Sequence, residues 1–442
     1  MTDPGSPASA VLLALLLGVA ACGAERPNVV LIIGDDLGWP YYGFADSPQV
    51  LTTTSGPTPV ADVVQTPHLD ALAASGALFR NGYATASVCQ PSMTTLLSAA
   101  GLHWVQWEAR RVGSKPARGD GTSDRGGAPF DRTLPAELER HGYRSWEGGK
   151  MWGGSFRDAG FTHGLATERR PVLAGMPGSA FGREGWDPAT CGSTGDGTPC
   201  PALDPLREFL DEIDGAPFFV WFAPMLPHKP YDAPPEYRRP LAGLGLARRE
   251  VLYLANVRWF DELVGELLRE LDARRLRDDT LIVYLSDNGW GLGFQGVFGQ
   301  GRGKGTPYDL GSRTPVVFSW PGRIPVGDYP DLVLASDVPA TILSYARAGR
   351  LPESMGLDLR ARLEGGAPAG RTEIIQHHLG DTVLAPPWRY VRHADGREEL
   401  YAIAVDPFEQ ADRAAEHPRI VAEYRARAEA HLQALLAERA VP

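Results

Sequence analysis

The chain predicts an α/β fold, a large mixed sheet flanked by helices on both faces with a smaller C-terminal α+β domain. Two runs carry most of this expectation. Asn28-Val29-Val30-Leu31-Ile32-Ile33-Gly34 and Thr280-Leu281-Ile282-Val283-Tyr284-Leu285 are continuously apolar and rich in β-branched residues, as strands buried on both faces of a parallel sheet are. Each ends in oxygen-bearing residues, Asp35-Asp36 and Asp287-Asn288, at the strand ends where open α/β sheets hold ligands. A third observation is the long helical pattern from Arg248 to Arg275, whose apolar positions Val251, Leu254, Val257, Leu263, Val264, Leu267, Leu268 and Leu271 form a packing stripe.

The 442 residues, 43% hydrophobic and 22% charged, suit one large domain plus a smaller one. Acidic residues outnumber basic ones by 54 to 43, a net charge of −11 that disfavours nucleic acid as a partner. The apolar run Val11 to Ala21 is short for a membrane span. With the small residues before Cys22 it resembles a lipoprotein signal, giving residues 1–24 as a leader and Cys22 as a lipid anchor. Cleavage after Ala24 is the competing reading, and Met1-Thr2-Asp3 lacks the basic residue expected of either. Export is the expectation, to a bacterial periplasm or a membrane-anchored lipoprotein. In an oxidising compartment Cys191 and Cys200, which flank a loop of Gly, Ser, Thr and Pro, could close as a disulfide, leaving Cys89 unpaired.

In chain order, adjacent Asp35 and Asp36 repel one another and ask for a cation, with a turn or capping role as the alternative. The polar, proline-rich stretch 47–60 reads as loop. Thr66 to Gly76 forms a helix closed by glycine, and His68 in its first turn reads as structural. Cys89-Gln90-Pro91-Ser92-Met93 opens another helix. Pro91 suits a first turn, so Cys89 should sit just outside the helix N-terminus, where unpaired N–H groups favour a thiolate, sulfate or phosphate. A buried structural cysteine is the other reading.

Residues 112–132 read as loop, and Leu134 to His141 as helix, leading to Gly148-Gly149-Lys150-Met151-Trp152-Gly153. Pro217 to Phe222 is another buried strand. The proline-bracketed turn behind it holds His228 where an acid for a leaving oxygen would serve, though a histidine satisfied within its loop is as common. Asp287 and Asn288 would complete an all-oxygen set with Asp35 and Asp36, and such hard ligands suit Ca²⁺ or Mg²⁺ rather than Zn²⁺. Residues 314–320 form a further strand. The charges of the 248–275 helix read as a solvated face. Trp39, Trp104, Trp107 and Trp152 could stack on sugar rings, with core packing as the alternative.

Cys89-x-Pro91-Ser92 with Leu96-Leu97 resembles the sulfatase signature, in which a maturation enzyme oxidises the cysteine to formylglycine. Other segments match the family in order. These are Asp35-Asp36, Thr66-Pro67-His68-Leu69-Asp70, His103 in Ala100-Gly101-Leu102-His103, Gly149-Lys150, Pro227-His228-Lys229-Pro230, Asp287-Asn288-Gly289, and Lys304 before Tyr308-Asp309-Leu310-Gly311. Met93 stands where the family has arginine, and Trp152 where it has a histidine. Segments 335–343 and 355–359 match the family's next helix and loop, and the tail matches its C-terminal antiparallel strands before a last helix from 418 to 440.

The resemblance implies a catalytic domain over 25–365, a small domain over 366–442, and hydrolysis of a sulfate ester, with a sulfated carbohydrate the expected class. It implies one divalent cation on Asp35, Asp36, residue 89, Asp287 and Asn288. Lys150, Lys304 and His228 would contact the sulfate, with His103 also in the catalytic set. Hydrated, the modified residue 89 would present two hydroxyls, one attacking sulfur and the other later expelling sulfate. Two other classes stand beside this one, a phosphonate or phosphate ester hydrolase of the same superfamily and a sulfated-glycan-binding protein without turnover.

Overall fold

The structure is a computed structural model and describes residues 26–102, 132–151, 155–165, 203–213, 215–292, 301–352 and 354–438. Its main sheet has eight strands: β1 (Asn28–Gly34), β2 (Ala77–Phe79), β3 (Arg144–Gly149), β4 (His163–Gly164), β5 (Phe218–Ala223), β6 (Thr280–Ser286), β7 (Val316–Ser319) and β8 (Gly327–Tyr329). They lie in the order β8-β2-β7-β6-β1-β5-β3-β4. β1 runs parallel to both β5 and β6, while β7 is antiparallel to β6 and β2 and makes the sheet mixed.

Alternation along β1 explains why its sequence is apolar throughout. Val30 and Ile32 enter one hydrophobic cluster and Val29, Leu31 and Ile33 the other, so neither face is left to water. The first cluster is closed by α1 (Pro67–Ala74), α4 (Asp204–Glu212) and the long α5 (Arg248–Ala273). The second is closed by α2 (Cys89–Ser98), α3 (Leu134–Arg140) and α6 (Asp337–Tyr345). Helices therefore cover both faces, as expected.

A second sheet, β9 (Ile374–His377), β10 (Asp381–Ala385), β11 (Trp388–Arg392) and β12 (Glu398–Ala402), is antiparallel throughout. It packs Val383, Tyr390 and Leu400 against Val421, Tyr424 and Ala428 of the last helix, α7 (Pro418–Glu438).

Three expectations need correction. The stretch 47–60 contains an antiparallel ribbon, Val50–Thr53 with Gly56–Pro59. Its prolines are tolerated because the ribbon has only two strands, and a missing N–H interrupts no central ladder. Cys89 is the first residue of its helix, with Val88 as the extended N-cap, and does not lie outside it. The charges of α5 are not all solvated, since Asp261 is buried together with two uncharged polar side chains. Tyr253, Asn256 and Asp261 are buried at 0%, 0% and 2% exposure. Asp261 accepts from the N–H groups of His68 and Leu69 at 3.1 and 2.8 Å, supplying the free N-terminal donors of α1 with an acceptor.

Candidate active site

The parallel pairing of β1 with β6 sets Gly34 opposite Ser286, so Asp35-Asp36 and Asp287-Asn288 leave the sheet side by side. Asp36 takes a left-handed backbone, φ 65°, costly for a residue with a Cβ. Its N–H donates to Asp287 Oδ1 at 3.2 Å and its carbonyl accepts from the Tyr253 hydroxyl at 2.8 Å, which fixes that conformation. Asn288 Nδ2 donates to Asp36 Oδ1 at 2.9 Å. Asp35 Oδ2 and Asn288 Oδ1 are buried and have no hydrogen-bond partner. Such orphaned oxygens, among three carboxylates, are the donor set a hard divalent cation takes. Asp35, Asp36, Asp287 and Asn288 are the residues that could hold one.

Lys150 follows β3. Gly149 before it has φ 119°, and a Cβ there would stand 2.1 Å from the carbonyl oxygen of Ala223, so only glycine brings the chain this close to β5. The Trp221 indole N–H donates to the Lys150 carbonyl at 2.8 Å. The Lys150 ammonium is 2.6 Å from Asp35 Oδ1 and 3.4 Å from Asp287 Oδ2. Lys304 donates to Asp36 Oδ1 and lies 3.6 Å from Cys89 Sγ.

These charges tune one another. Burial raises the Asp287 carboxyl, and the neighbouring Asp35 charge adds to it, so it is pushed up to about 8. Burial acts the same way on Asp35, but Lys150, His228 and Lys304 outweigh it and hold that carboxyl below its usual range. Burial would lower both lysines, yet Asp35 beside Lys150 and Asp36 beside Lys304 keep them above the ordinary value. Three carboxylates share two ammonium groups, so one carboxylate lacks a counter-charge.

Sγ of Cys89 and one oxygen each of Asp35 and Asp287 lie within 4.8 Å of one another, as do ligand atoms of Asp35, Asp36 and His228. His228 Nδ1 lies 2.6 Å from the Lys229 carbonyl, and Nε2 is 3.7 Å from Asp36 Oδ2. Burial lowers its pKa, Asp35 and Asp36 act against this, and the lysines add to the lowering. The His228 loop is tied to α5 by Asn256. Its amide Nδ2 reaches the carbonyls of Pro227, His228 and Pro230 at 3.4–3.5 Å, and its Oδ1 accepts from Ala233 N–H at 3.0 Å.

Eight residues singled out from the sequence thus converge: Asp35, Asp36, Cys89, Lys150, His228, Asp287, Asn288 and Lys304. His103, Trp104, Trp107, Trp152, Cys22, Cys191 and Cys200 lie outside the described residues. Cys89 is a free thiol. Met93 is 1% exposed within the second apolar cluster. Trp39 is buried, with the Arg313 guanidinium 4.4 Å from its ring centroid, and is a packing residue. His68 packs against Gly265, with Nε2 3.6 Å from Glu262. Tyr253 and Asn256 were not foreseen. Their signal was a polar group on the apolar stripe of a long helix.

A free thiol at a helix start thus faces buried carboxylates and two ammonium groups where the strands of the main sheet end. The family model described as Sulfatase matches residues 27–348, and the chain belongs to the sulfatase family. It is 29% identical over 430 residues to the dog N-acetylgalactosamine-6-sulfatase, covering 86% of this chain and 75% of that one. It is 23% identical over 504 residues to an N-acetylgalactosamine-6-O-sulfatase of Bacteroides thetaiotaomicron, covering 90% and 92%. Among solved structures, Ps i-CgsB in complex with k-i-k-neocarrahexaose matches with a TM-score of 0.68 and 22% identity, covering 92% of each chain.

Proposed function

We propose that this protein releases sulfate from a sulfated carbohydrate, using a formylglycine made from Cys89 and one divalent cation, Ca²⁺ in preference to Mg²⁺. Residues 25–365 form the catalytic domain and 366–442 the small domain in this reading. The observation that carries it is the meeting of Cys89 Sγ with Asp35 and Asp287 within 4.8 Å, with Lys304 at 3.6 Å. The sugar class is supported by relatives whose names specify sulfated amino sugars.

Asp35, Asp36, Asp287 and Asn288 would hold the cation. When present, the cation and the modified residue would supply a hydroxyl of lowered pKa and positive charge for the sulfate oxygens. The remaining roles fall to the chain's own side chains. Lys150 and Lys304, both ammonium ions throughout the neutral range, would contact the sulfate oxygens. His228 donates a proton from Nε2 to the leaving oxygen, while Nδ1–H stays on the Lys229 carbonyl and holds the ring in place. His103 stays in the proposed catalytic set as a residue of the family's segment. Export, with a lipid anchor at Cys22 and a maturation enzyme as partner, completes the reading; no described helix is long and apolar enough to cross a membrane.

Met93 favours a second reading, a sulfated-glycan-binding protein without turnover. Buried among apolar side chains, it offers none of the donors that the signature arginine would. Sulfate release by metal-loaded protein from a panel of sulfated sugars, with phosphate and phosphonate esters alongside, separates these readings. Release from a sulfated sugar supports the enzyme, binding without release supports the second reading, and preferred cleavage of the phosphorus esters contradicts both.

A further inference from the structure

Beyond Lys304 the chain is gripped from two sides. On one side the Gly305 N–H donates to the carbonyl of Ser87 at 2.8 Å, two positions before Cys89. The Thr306 hydroxyl donates to the Gly303 carbonyl at 2.6 Å and closes a tight turn that contains Lys304.

On the other side stands the second sheet. Arg389 of β11 donates from Nη2 to the Pro307 carbonyl at 3.0 Å, and its Nη1 lies 3.5 Å from Asp309 Oδ1. Glu409, in the segment after β12, accepts from the Asp309 N–H at 2.8 Å through Oε2, and its Oε1 lies 3.2 Å from Arg389 Nε. Glu399 of β12 accepts from the Tyr308 hydroxyl at 2.8 Å. The Arg302 guanidinium, on the other flank of Lys304, lies 4.2 Å from the Tyr308 ring centroid and 5.1 Å from that of Tyr401. Pro307, Tyr308 and Asp309, three residues in a row, are thus each held by side chains of the second sheet or the segment after it.

Arg389, Glu409 and Asp309 are 1%, 1% and 4% exposed. Taking a guanidinium and two carboxylates out of water adds little to stability, because the lost hydration offsets their attraction. Such a cluster supplies direction instead. The donors of a guanidinium form a rigid plane, and here they point at the backbone that follows Lys304. The second sheet also reaches the segment leading into Cys89, since Gln376 Nε2 donates to the carbonyls of Ala84 and Thr85 at 2.7 and 3.2 Å.

We propose that Arg389 and Glu409 are positioning residues for Lys304: by clamping Pro307 and Asp309 they set the distance between the Lys304 ammonium and residue 89. Both act through the backbone of residues 305–309. Their effect on turnover rests on the sulfatase reading, whereas the clamp itself does not.

Hydrogen–deuterium exchange on the full chain tests the clamp without turnover. In Arg389→Met and Glu409→Ala, peptides covering residues 303–309 should exchange about tenfold faster, with those covering β1 and β6 unchanged. Glu409→Gln, which keeps an oxygen for the Asp309 N–H, should restore most of the protection. If Arg389→Met does not fold, the two Glu409 variants decide. In sulfate release, Arg389→Met and Glu409→Ala should each lower kcat about tenfold when Lys304 is present, but by about twofold at most beside Lys304→Ala, because both act through that lysine. Unchanged exchange over 303–309, exchange raised equally in β1 and β6, or an equal kcat loss with and without Lys304 overturns the proposal. A chain that releases no sulfate defeats the sulfatase reading instead, and the exchange result then decides the clamp alone.

Discussion

Lys304 Nζ lies 3.6 Å from Cys89 Sγ, although 215 positions separate them in the chain. The cation that would meet sulfate and the atom that would be replaced by the nucleophile are therefore neighbours before any substrate arrives. Lys304→Ala should lower kcat for sulfate release by roughly 10²–10³, the usual cost of removing one preorganised charge from a developing anion. Steady-state kinetics on metal-loaded protein checks this, and an unchanged kcat would remove Lys304 from the site.

Asp287 gives a pH signature tied to metal. Its carboxyl rises from an ordinary 3.8 to about 8 in the folded protein, so the folded state holds that proton more tightly than the unfolded one. Stability of metal-free protein should fall as pH climbs through that window. Cation binding should abolish this loss, and apparent cation affinity should strengthen toward pH 8. Thermal melting at several pH values, with and without chelator, measures both. Asp287→Ala should lose the cation in elemental analysis after dialysis, and stoichiometric zinc in the unaltered protein would contradict the oxygen ligand set.

Asn256 anchors the His228 loop through four backbone groups. Asn256→Ala should cost about 1–3 kcal/mol in denaturant unfolding by leaving buried groups unpaired. It should also lower kcat through misplacement of His228. Stability loss with unaltered kcat would confine Asn256 to the fold.

Met93 lies in the apolar cluster with Leu96 and Leu97. Met93→Arg would bury a guanidinium there and should lower the melting temperature, by about 3 kcal/mol in stability if no partner is found. In a host with an ordinary maturation system, conversion of Cys89 in the unaltered chain should be partial. If arginine is what that system reads, conversion should rise in Met93→Arg despite the stability loss. Equal conversion in both proteins would show that position 93 is not read.

The parts of the architecture legible in sequence were those with local signals. β1 and β6 announce themselves because burial on both faces leaves them apolar over most of their length, and their ends announce the acids because nothing else in an apolar run explains them. Cys89, Lys150, His228 and Lys304 were found through motif resemblance. Their convergence depends on register, Gly34 opposite Ser286, which no local pattern encodes. Tyr253, Asn256 and Asp261 escaped notice because a polar residue on an apolar stripe looks like an imperfection until its partner, far away in sequence, is known. The 50–59 ribbon escaped because its prolines argue against any strand.

The central claim, that residue 89 works as an oxidised cysteine beside a cation, is tested most directly by mass spectrometry of the peptide containing it, from protein purified from its native host. The account predicts the aldehyde in place of the thiol. An unmodified thiol at residue 89 would contradict it.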